Sequence, residues 1–146
     1  MTIDVYIDGA CRGNGKDESV GAYAYKLKFG DRAKEFSMAV PSTTNNKMEL
    51  TAAIEALKAL KDSARQYKIN VYSDSQYVVK GVNEWSKAWK AKNFYQVKNA
   101  EMWQELLAIV DTFPSISFIW VKGHETTQGN IDVDILCNKA MDEYRG

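Results

Sequence analysis

The chain has 146 residues, of which 45% are hydrophobic and 26% charged. This size and composition are typical of one globular domain, here spanning residues 1–146, and they exclude a disordered or fibrous protein. Its 19 basic and 19 acidic side chains give a formal net charge of zero, so affinity for a polyanion would have to come from a local cluster of positive charge.

The order of apolar residues predicts strands first and then strands alternating with helices. Residues 3–8 alternate as a strand does, and two extended runs, 21–29 and 32–40, flank the dipeptide Gly30-Asp31. This two-residue connection predicts a β-hairpin. The later predicted elements are a helix over 46–60, a strand over 68–73, helical segments that carry a lysine-rich stretch, a helix over 100–110, a strand over 116–121 and a helix over about 131–144.

This order of elements predicts an α/β fold. We expect a five-stranded mixed sheet, with an antiparallel hairpin extension plus parallel strands, flanked by helices. Parallel strands end at the same edge of a sheet, and active sites in such folds gather at that edge. Acidic residues near the ends of the predicted strands are therefore candidates for a functional site.

Four acids are candidates, although each has a simpler interpretation. Asp8 ends the first predicted strand and Asp74 follows the fourth, where it could instead cap the next helix. Glu49 follows Asn46 by three residues, a spacing close to a capping box, and capping is the more common role of a lone Glu there. Asp134 flanks the apolar stripe of the last helix, a position usually occupied by a solvated surface acid.

The four acids together are stronger evidence for a functional site than any one of them alone. Four carboxylates at one edge would repel by several kcal/mol, so cations would be needed to offset that repulsion. Oxygen ligands suit Mg²⁺ or Mn²⁺ better than zinc, and two such ions about 4 Å apart suit in-line attack at a phosphodiester. The single histidine, His124, could be incidental, or it could move a proton beside a bound phosphate.

A local cluster of positive charge is present between residues 80 and 98. It contains five lysines against one glutamate, with aromatic residues between them. A solvated helix face is the alternative, but basic and aromatic residues together favour a nucleic-acid surface. The two cysteines do not suggest a disulfide framework, and no signal peptide or membrane span is evident, so we expect a monomeric cytoplasmic protein that does not bind membranes.

Five segments together resemble the signature blocks of type 1 ribonuclease H. They are YIDGACRGNG, TTNNKMELTAAIEAL, VYSDSQYVVKGV, VKNAEMW and WVKGHETTQGNIDVDILCNKA. The resemblance covers nearly the whole chain and implies a ribonuclease H-like fold. It also implies an Mg²⁺-dependent endonuclease, for which Mn²⁺ can substitute, that hydrolyses the RNA strand of RNA/DNA hybrids and leaves 5′-phosphate and 3′-hydroxyl ends.

The resemblance also assigns roles to individual residues. Asp8 would bridge two metal ions, one held with Asp134 and the other with Glu49 and Asp74, while His124 would be a mobile auxiliary residue. The residues that would contact substrate are Asn14, Asn45 and Gln76 in the minor groove, Thr44 and Asn99 at a DNA-strand phosphate, Trp85 and Trp103 along the DNA channel, and Lys87, Lys90 and Lys92 in a basic protrusion that is shorter here than in the longer bacterial form.

Two other functions remain open from the sequence. One is a module that binds RNA/DNA hybrids or double-stranded RNA without cutting them, and the other is a different nuclease built on the same fold. Degenerate copies of this fold usually lack metal ligands, whereas all four acids and the histidine are present here. The full set favours catalysis.

Overall fold

A computed structural model describes residues 1–14, 16–122 and 127–145. Five strands form one sheet in the order β3-β2-β1-β4-β5. The strands are β1 (Thr2–Arg12), β2 (Val20–Phe29), β3 (Arg32–Pro41), β4 (Lys68–Ser73) and β5 (Ile116–Trp120). Strand β2 pairs antiparallel with both β1 and β3, whereas β4 pairs parallel with both β1 and β5. The predicted mixed sheet is therefore confirmed.

Helices connect the parallel strands and cover both faces of the sheet. They are α1 (Asn45–Lys58), α2 (Gln76–Lys80), α3 (Ser86–Ala91), α4 (Ala100–Val110) and α5 (Gln128–Glu143), with a π-helical turn at Gly81–Trp85 between α2 and α3 and a short 3-10 helix at Asp62–Gln66. The predicted hairpin is confirmed, and Gly30 adopts the left-handed φ of 60° that its turn requires. Among the helices of the described ranges, none combines the length and apolar character that a membrane span requires.

Two apolar layers fix which way the residues of β1 point. On one face, Val5 and Ile7 belong to the main core, which also contains buried residues of α1 and α4. On the other face, Tyr6 packs against a smaller cluster formed by β2 and α5. Side chains alternate along a strand, so Asp8 shares the α5 face with Tyr6.

The first strand is longer than predicted and does not end at Asp8. Parallel pairing with β4 stops at Tyr6, but antiparallel pairing with β2 continues to Arg12. Asp8 is therefore paired with β2 on one side, but on the other side it lies just beyond the last residue of β1 that pairs with β4. The predicted boundary is wrong because glycine is uncommon inside strands, whereas Gly9 lies within the ladder opposite Tyr23.

Candidate active site

Three of the four predicted acids meet at the end of the parallel strands. Asp8 comes from β1, Glu49 from α1 and Asp74 from the turn that follows β4. One carboxylate oxygen from each lies within 4.8 Å of the others. This set of three acids, called the acidic cluster below, provides only oxygen atoms, so it could hold a hard divalent cation.

Glu49 reaches the acidic cluster because α1 passes very close to β1. The backbone N–H of Gly9 donates a hydrogen bond of 2.6 Å to Oε1 of Glu49. A Cβ atom at Gly9 would overlap the backbone of Met48 and Glu49, so only glycine permits this approach. Gly9 thus positions Glu49, a role that the sequence analysis did not identify, although Gly9 directly follows Asp8 in the chain.

The capping interpretation of Glu49 is wrong. Helix α1 begins at Asn45, and its N-cap is Thr44, whose Oγ1 accepts a hydrogen bond of 3.2 Å from the N–H of Lys47. Glu49 therefore lies more than one turn into the helix and is too far along it to form a capping box with Asn46. Its carboxylate contacts β1 instead of the helix start.

Asp74 likewise does not cap the helix that follows it. Ser75 is the N-cap of α2, and its Oγ accepts a hydrogen bond of 3.2 Å from the N–H of Val78. The turn is fixed by two further contacts. The N–H of Ser75 donates to Oγ of Ser73 at 3.0 Å, and Nε1 of Trp120 donates to the backbone carbonyl of Asp74 at 3.1 Å. These contacts hold Asp74 at the end of β4.

Asp134 comes from α5, which covers the face of the sheet opposite to α1. It lies outside the group of three oxygens described above, but it is close enough to raise the pKa of Asp8. One turn later in α5, the buried thiol of Cys137 donates to the backbone carbonyl of Asp8 over 3.4 Å. Helix α5 thus contacts the backbone of Asp8 through Cys137 and places the charge of Asp134 near the Asp8 carboxylate.

The acidic cluster is strongly perturbed electrostatically. Asp8 is only 6% exposed, and burial, followed by the negative charges of Asp74 and Asp134, raises its pKa to about 8. Burial is also the main reason that the pKa of Glu49 lies well above its ordinary value, with Asp8 and Asp74 adding repulsion. The Gly9 N–H opposes both increases but is outweighed. Burial and mutual repulsion of this kind are expected of carboxylates that form a cation site.

Several predicted substrate contacts lie together near the start of α1. Oδ1 of Asn14 accepts a hydrogen bond of 2.8 Å from the backbone N–H of Asn45. Both residues are exposed, and with Thr44 and Lys98 they line a cavity of about 280 Å³. The structure thus brings together residues that are far apart in sequence. Gln76 is exposed separately, as the first residue of α2.

A tyrosine that the sequence did not single out organises the next part of this surface. The hydroxyl of Tyr77 accepts hydrogen bonds from Nδ2 of Asn99 at 3.2 Å and from Nε1 of Trp103 at 2.9 Å. Trp103 is fully buried, so it supports the surface from below and cannot line a substrate channel as expected. Trp85 is 39% exposed and keeps a face available.

The three predicted lysines are all exposed, on or next to α3. Lys90 lies 3.6 Å from the carboxylate of Asp111, so its charge is partly compensated. Within the described ranges, Lys87 and Lys92 form no salt bridge, and their charges remain available to a polyanion. His124 lies outside the described residues.

The fold is a mixed five-stranded sheet, and the acidic cluster lies at the end of its parallel strands. Together they define a class of α/β protein with a carboxylate site for divalent cations. The family model for RNase H matches residues 1–142, and the chain belongs to that family. Ribonuclease H of Clostridium botulinum (strain Hall) is 43% identical over 148 aligned residues, which cover 97% of each chain. The family resemblance drawn from the sequence is therefore confirmed.

Solved structures agree with this assignment. LC9-RNase H1, described as a type 1 RNase H with the type 2 active-site motif, superposes with a TM-score of 0.84 at 25% identity, covering 97% of this chain and 72% of the other. LC11-RNase H1 in complex with an RNA/DNA hybrid gives a TM-score of 0.72 at 23% identity, covering 97% of both chains. At that level of identity the second match supports the fold alone.

Proposed function

We propose that this chain is a metal-dependent endoribonuclease that hydrolyses the RNA strand of RNA/DNA hybrids and leaves 5′-phosphate and 3′-hydroxyl ends. The observation that carries the proposal is the acidic cluster of Asp8, Glu49 and Asp74, placed at one point by an RNase H fold. The hybrid complex of the structurally similar LC11-RNase H1 supports the choice of substrate.

The acidic cluster fits Mg²⁺ in chemistry, and Mn²⁺ as its substitute, because all of its donors are carboxylate oxygens. We propose that two ions bind, that Asp8 contacts both, that Asp134 completes one site and that Glu49 and Asp74 complete the other. Ions in such sites activate a water molecule and stabilise charge on the phosphate. The protein holds the ligands in place, with Gly9 orienting Glu49 and α5 contacting Asp8. His124 would move a proton beside the scissile phosphate.

Substrate recognition follows from the exposed groups around the acidic cluster. Asn14, Asn45 and Gln76 would contact the minor groove, where the 2′-hydroxyl distinguishes RNA from DNA. The bond between Asn14 and the backbone of Asn45 fixes the position of both residues. Thr44 and Asn99 would hold a phosphate of the DNA strand.

The basic protrusion would bind the hybrid farther from the cut. Lys87, Lys90 and Lys92 would neutralise phosphates there, with Trp85 beside them, and the short segment would make binding more sensitive to salt. We also infer a monomeric single-domain protein of the cytoplasm, which the free thiols of Cys11 and Cys137 support.

One assay separates this function from its alternatives. Purified protein is incubated with an end-labelled RNA/DNA hybrid, the matching duplex DNA and duplex RNA, with Mg²⁺ or with chelator. Cleavage confined to the RNA strand of the hybrid, and only with Mg²⁺, is expected. Hybrid binding without cleavage would instead indicate a binding module, and cleavage of duplex DNA would indicate another nuclease on this fold.

A further inference from the structure

A second cavity, of about 340 Å³, lies where the loop between α3 and α4 folds back on the helices. The residues that line it include the aromatic residues Tyr77, Trp89 and Tyr95 and the basic residues Lys92 and Lys98. We call it the aromatic pocket. No role in metal binding or hydrolysis explains it, because it is formed by residues outside the acidic cluster.

The loop that forms the aromatic pocket has an unusual backbone. Asn93, Phe94 and Gln96 all have left-handed φ values between 52° and 59°, although none is glycine. Each such residue costs about 1 kcal/mol or more, and this cost persists only where surrounding contacts impose the conformation. Here the N–H of Phe94 donates to the carbonyl of Trp89 at 2.8 Å, and the N–H of Val97 donates to that of Phe94 at 3.1 Å.

Tyr95 lies in this loop between Phe94 and Gln96, two residues with left-handed φ. Its side chain is 73% exposed, which is high for an aromatic residue. Trp89, which also lines the pocket, packs against Trp103 with ring centroids 4.8 Å apart and against Phe94 at 6.4 Å. The aromatic pocket therefore has one supported wall and one exposed ring before any ligand binds.

Charge and size together indicate what would occupy the aromatic pocket. In the part of the chain that the structure describes, neither Lys92 nor Lys98 forms a salt bridge, so an anionic ligand would find them available. Aromatic walls bind a flat aromatic ring, and a ring joined to a phosphate is a nucleotide. The volume is at the lower end for small-ligand sites, which suits one nucleotide. Bases within a duplex already have both faces stacked, so the nucleotide must be unpaired.

The position of the aromatic pocket indicates which strand would supply that nucleotide. Lys98 lines both this pocket and the cavity beside Thr44 and Asn45. Tyr77 lines the pocket, and its hydroxyl accepts a hydrogen bond from Asn99. Thr44 and Asn99 are the residues proposed above to hold a DNA-strand phosphate, so the aromatic pocket adjoins the path of that strand.

We propose that the aromatic pocket binds one unpaired nucleotide of the DNA strand, with its base stacked on Tyr95 and Trp89 and its phosphate beside Lys92 and Lys98. The choice of strand rests on the proposed function. A hybrid with a single-stranded DNA extension then binds more tightly than the same hybrid with blunt ends.

Binding is measured by fluorescence anisotropy in chelator, so that no cleavage occurs, at one fixed salt concentration. The ligands are a blunt hybrid and hybrids with a three-nucleotide extension, of DNA or of RNA, at the 3′ or the 5′ end. A third type carries an abasic extension, which has the same phosphates but no bases. We expect a base-bearing DNA extension at one end to lower Kd by roughly tenfold, in line with the usual effect of base stacking on an aromatic side chain. The abasic extension is expected to have little effect.

The ratio of blunt to extended Kd is the readout in the variants. Tyr95→Ala should reduce this ratio to about one, Tyr95→Phe should keep most of it, and Phe36→Ala, a matched exposed aromatic on β3, should leave it unchanged. Equal Kd values for blunt and extended hybrids, an equal gain from the abasic extension, or a ratio that survives Tyr95→Ala would overturn the proposal. A gain seen only with an RNA extension would also overturn it. Failure of the proposed function would appear separately, as absence of cleavage of the blunt hybrid in Mg²⁺.

Discussion

Asp8→Asn should make the protein more stable while it abolishes cleavage. Asp8 is almost fully buried beside other acids, so its negative charge is unfavourable in the folded state. Asparagine has nearly the same shape and carries no charge. The substitution therefore removes the repulsion that the fold tolerates, and with it the ligand proposed to bridge the two metal ions.

The size of the effect follows from the pKa of Asp8. Folding raises this pKa from 3.8 to about 8. At about 1.4 kcal/mol for each tenfold change in acidity, the upper limit is about 6 kcal/mol. Neighbouring acids share protons with Asp8 and the asparagine amide must also be buried, so we expect a gain of about 2–3 kcal/mol, or roughly 5–10 °C in Tm.

The pH dependence has a definite sign. Because the folded pKa is the higher one, the protonated form of Asp8 stabilises the fold fully below pH 3.8, and this contribution is lost as pH rises through about 8. Asparagine does not titrate, so the stability difference between variant and wild type should be near zero at pH 4 and largest above pH 8. Urea unfolding in chelator measures it, since a bound divalent cation would offset the repulsion.

Asp132→Asn is the matched control. Asp132 lies two residues before Asp134 in α5, but it accepts a hydrogen bond of 2.7 Å from Nζ of Lys26, which lowers its pKa. Loss of that charge should destabilise the protein, the opposite of the effect at Asp8. A variant Asp8→Asn that is no more stable than wild type at pH 8, or whose advantage does not change with pH, would refute this account of the acidic cluster.

Three further predictions test other parts of the site. Mg²⁺ affinity should increase between pH 6.5 and 8.5, because protons compete for the acidic cluster, and a Kd by calorimetry that is independent of pH would contradict this. Gly9→Ala should separate Glu49 from β1 and cost about 1–3 kcal/mol in urea unfolding together with most of the activity, whereas wild-type stability would show that α1 can move aside. Replacement of Lys87, Lys90 and Lys92 by Ala should raise KM and flatten its dependence on salt, and an unchanged salt slope would count against the basic protrusion.

The sequence predicted the fold well because its patterns are local. Strand β4 and helix α4 begin and end where they were expected, and the hairpin at Gly30 depends on a two-residue turn with clear chemistry. The predicted end of a strand was less accurate where the strand pairs with two neighbouring strands over different lengths. Strand β1 pairs with β2 as far as Arg12 but with β4 only to Tyr6, and no pattern within β1 reports that difference.

The acidic cluster was predicted by combining weak signals, and its geometry was not. From the sequence, helix capping was an adequate explanation of Glu49 and Asp74. The true caps, Thr44 and Ser75, also belong to the residue types that favour N-caps, and no local pattern shows which residue is the cap. Close approach of α1 to β1 at Gly9 is a contact between residues 40 positions apart. Spacing within a helix or a strand carries no information about such a contact.

The same contact explains why the acidic cluster forms at this point of the sheet. Beyond Tyr6, β1 no longer pairs with β4, so the space beside Asp8 is open to side chains from other elements. Glu49 enters from α1 because residue 9 has no side chain, and Asp74 enters because β4 ends at Ser73 and the chain turns into α2. A strand that lost both neighbours at Asp8 would be mobile, and one that kept both would exclude the other acids. Continued pairing with β2 holds Asp8 rigid while its other side stays open, which is the arrangement that a site for bound cations requires.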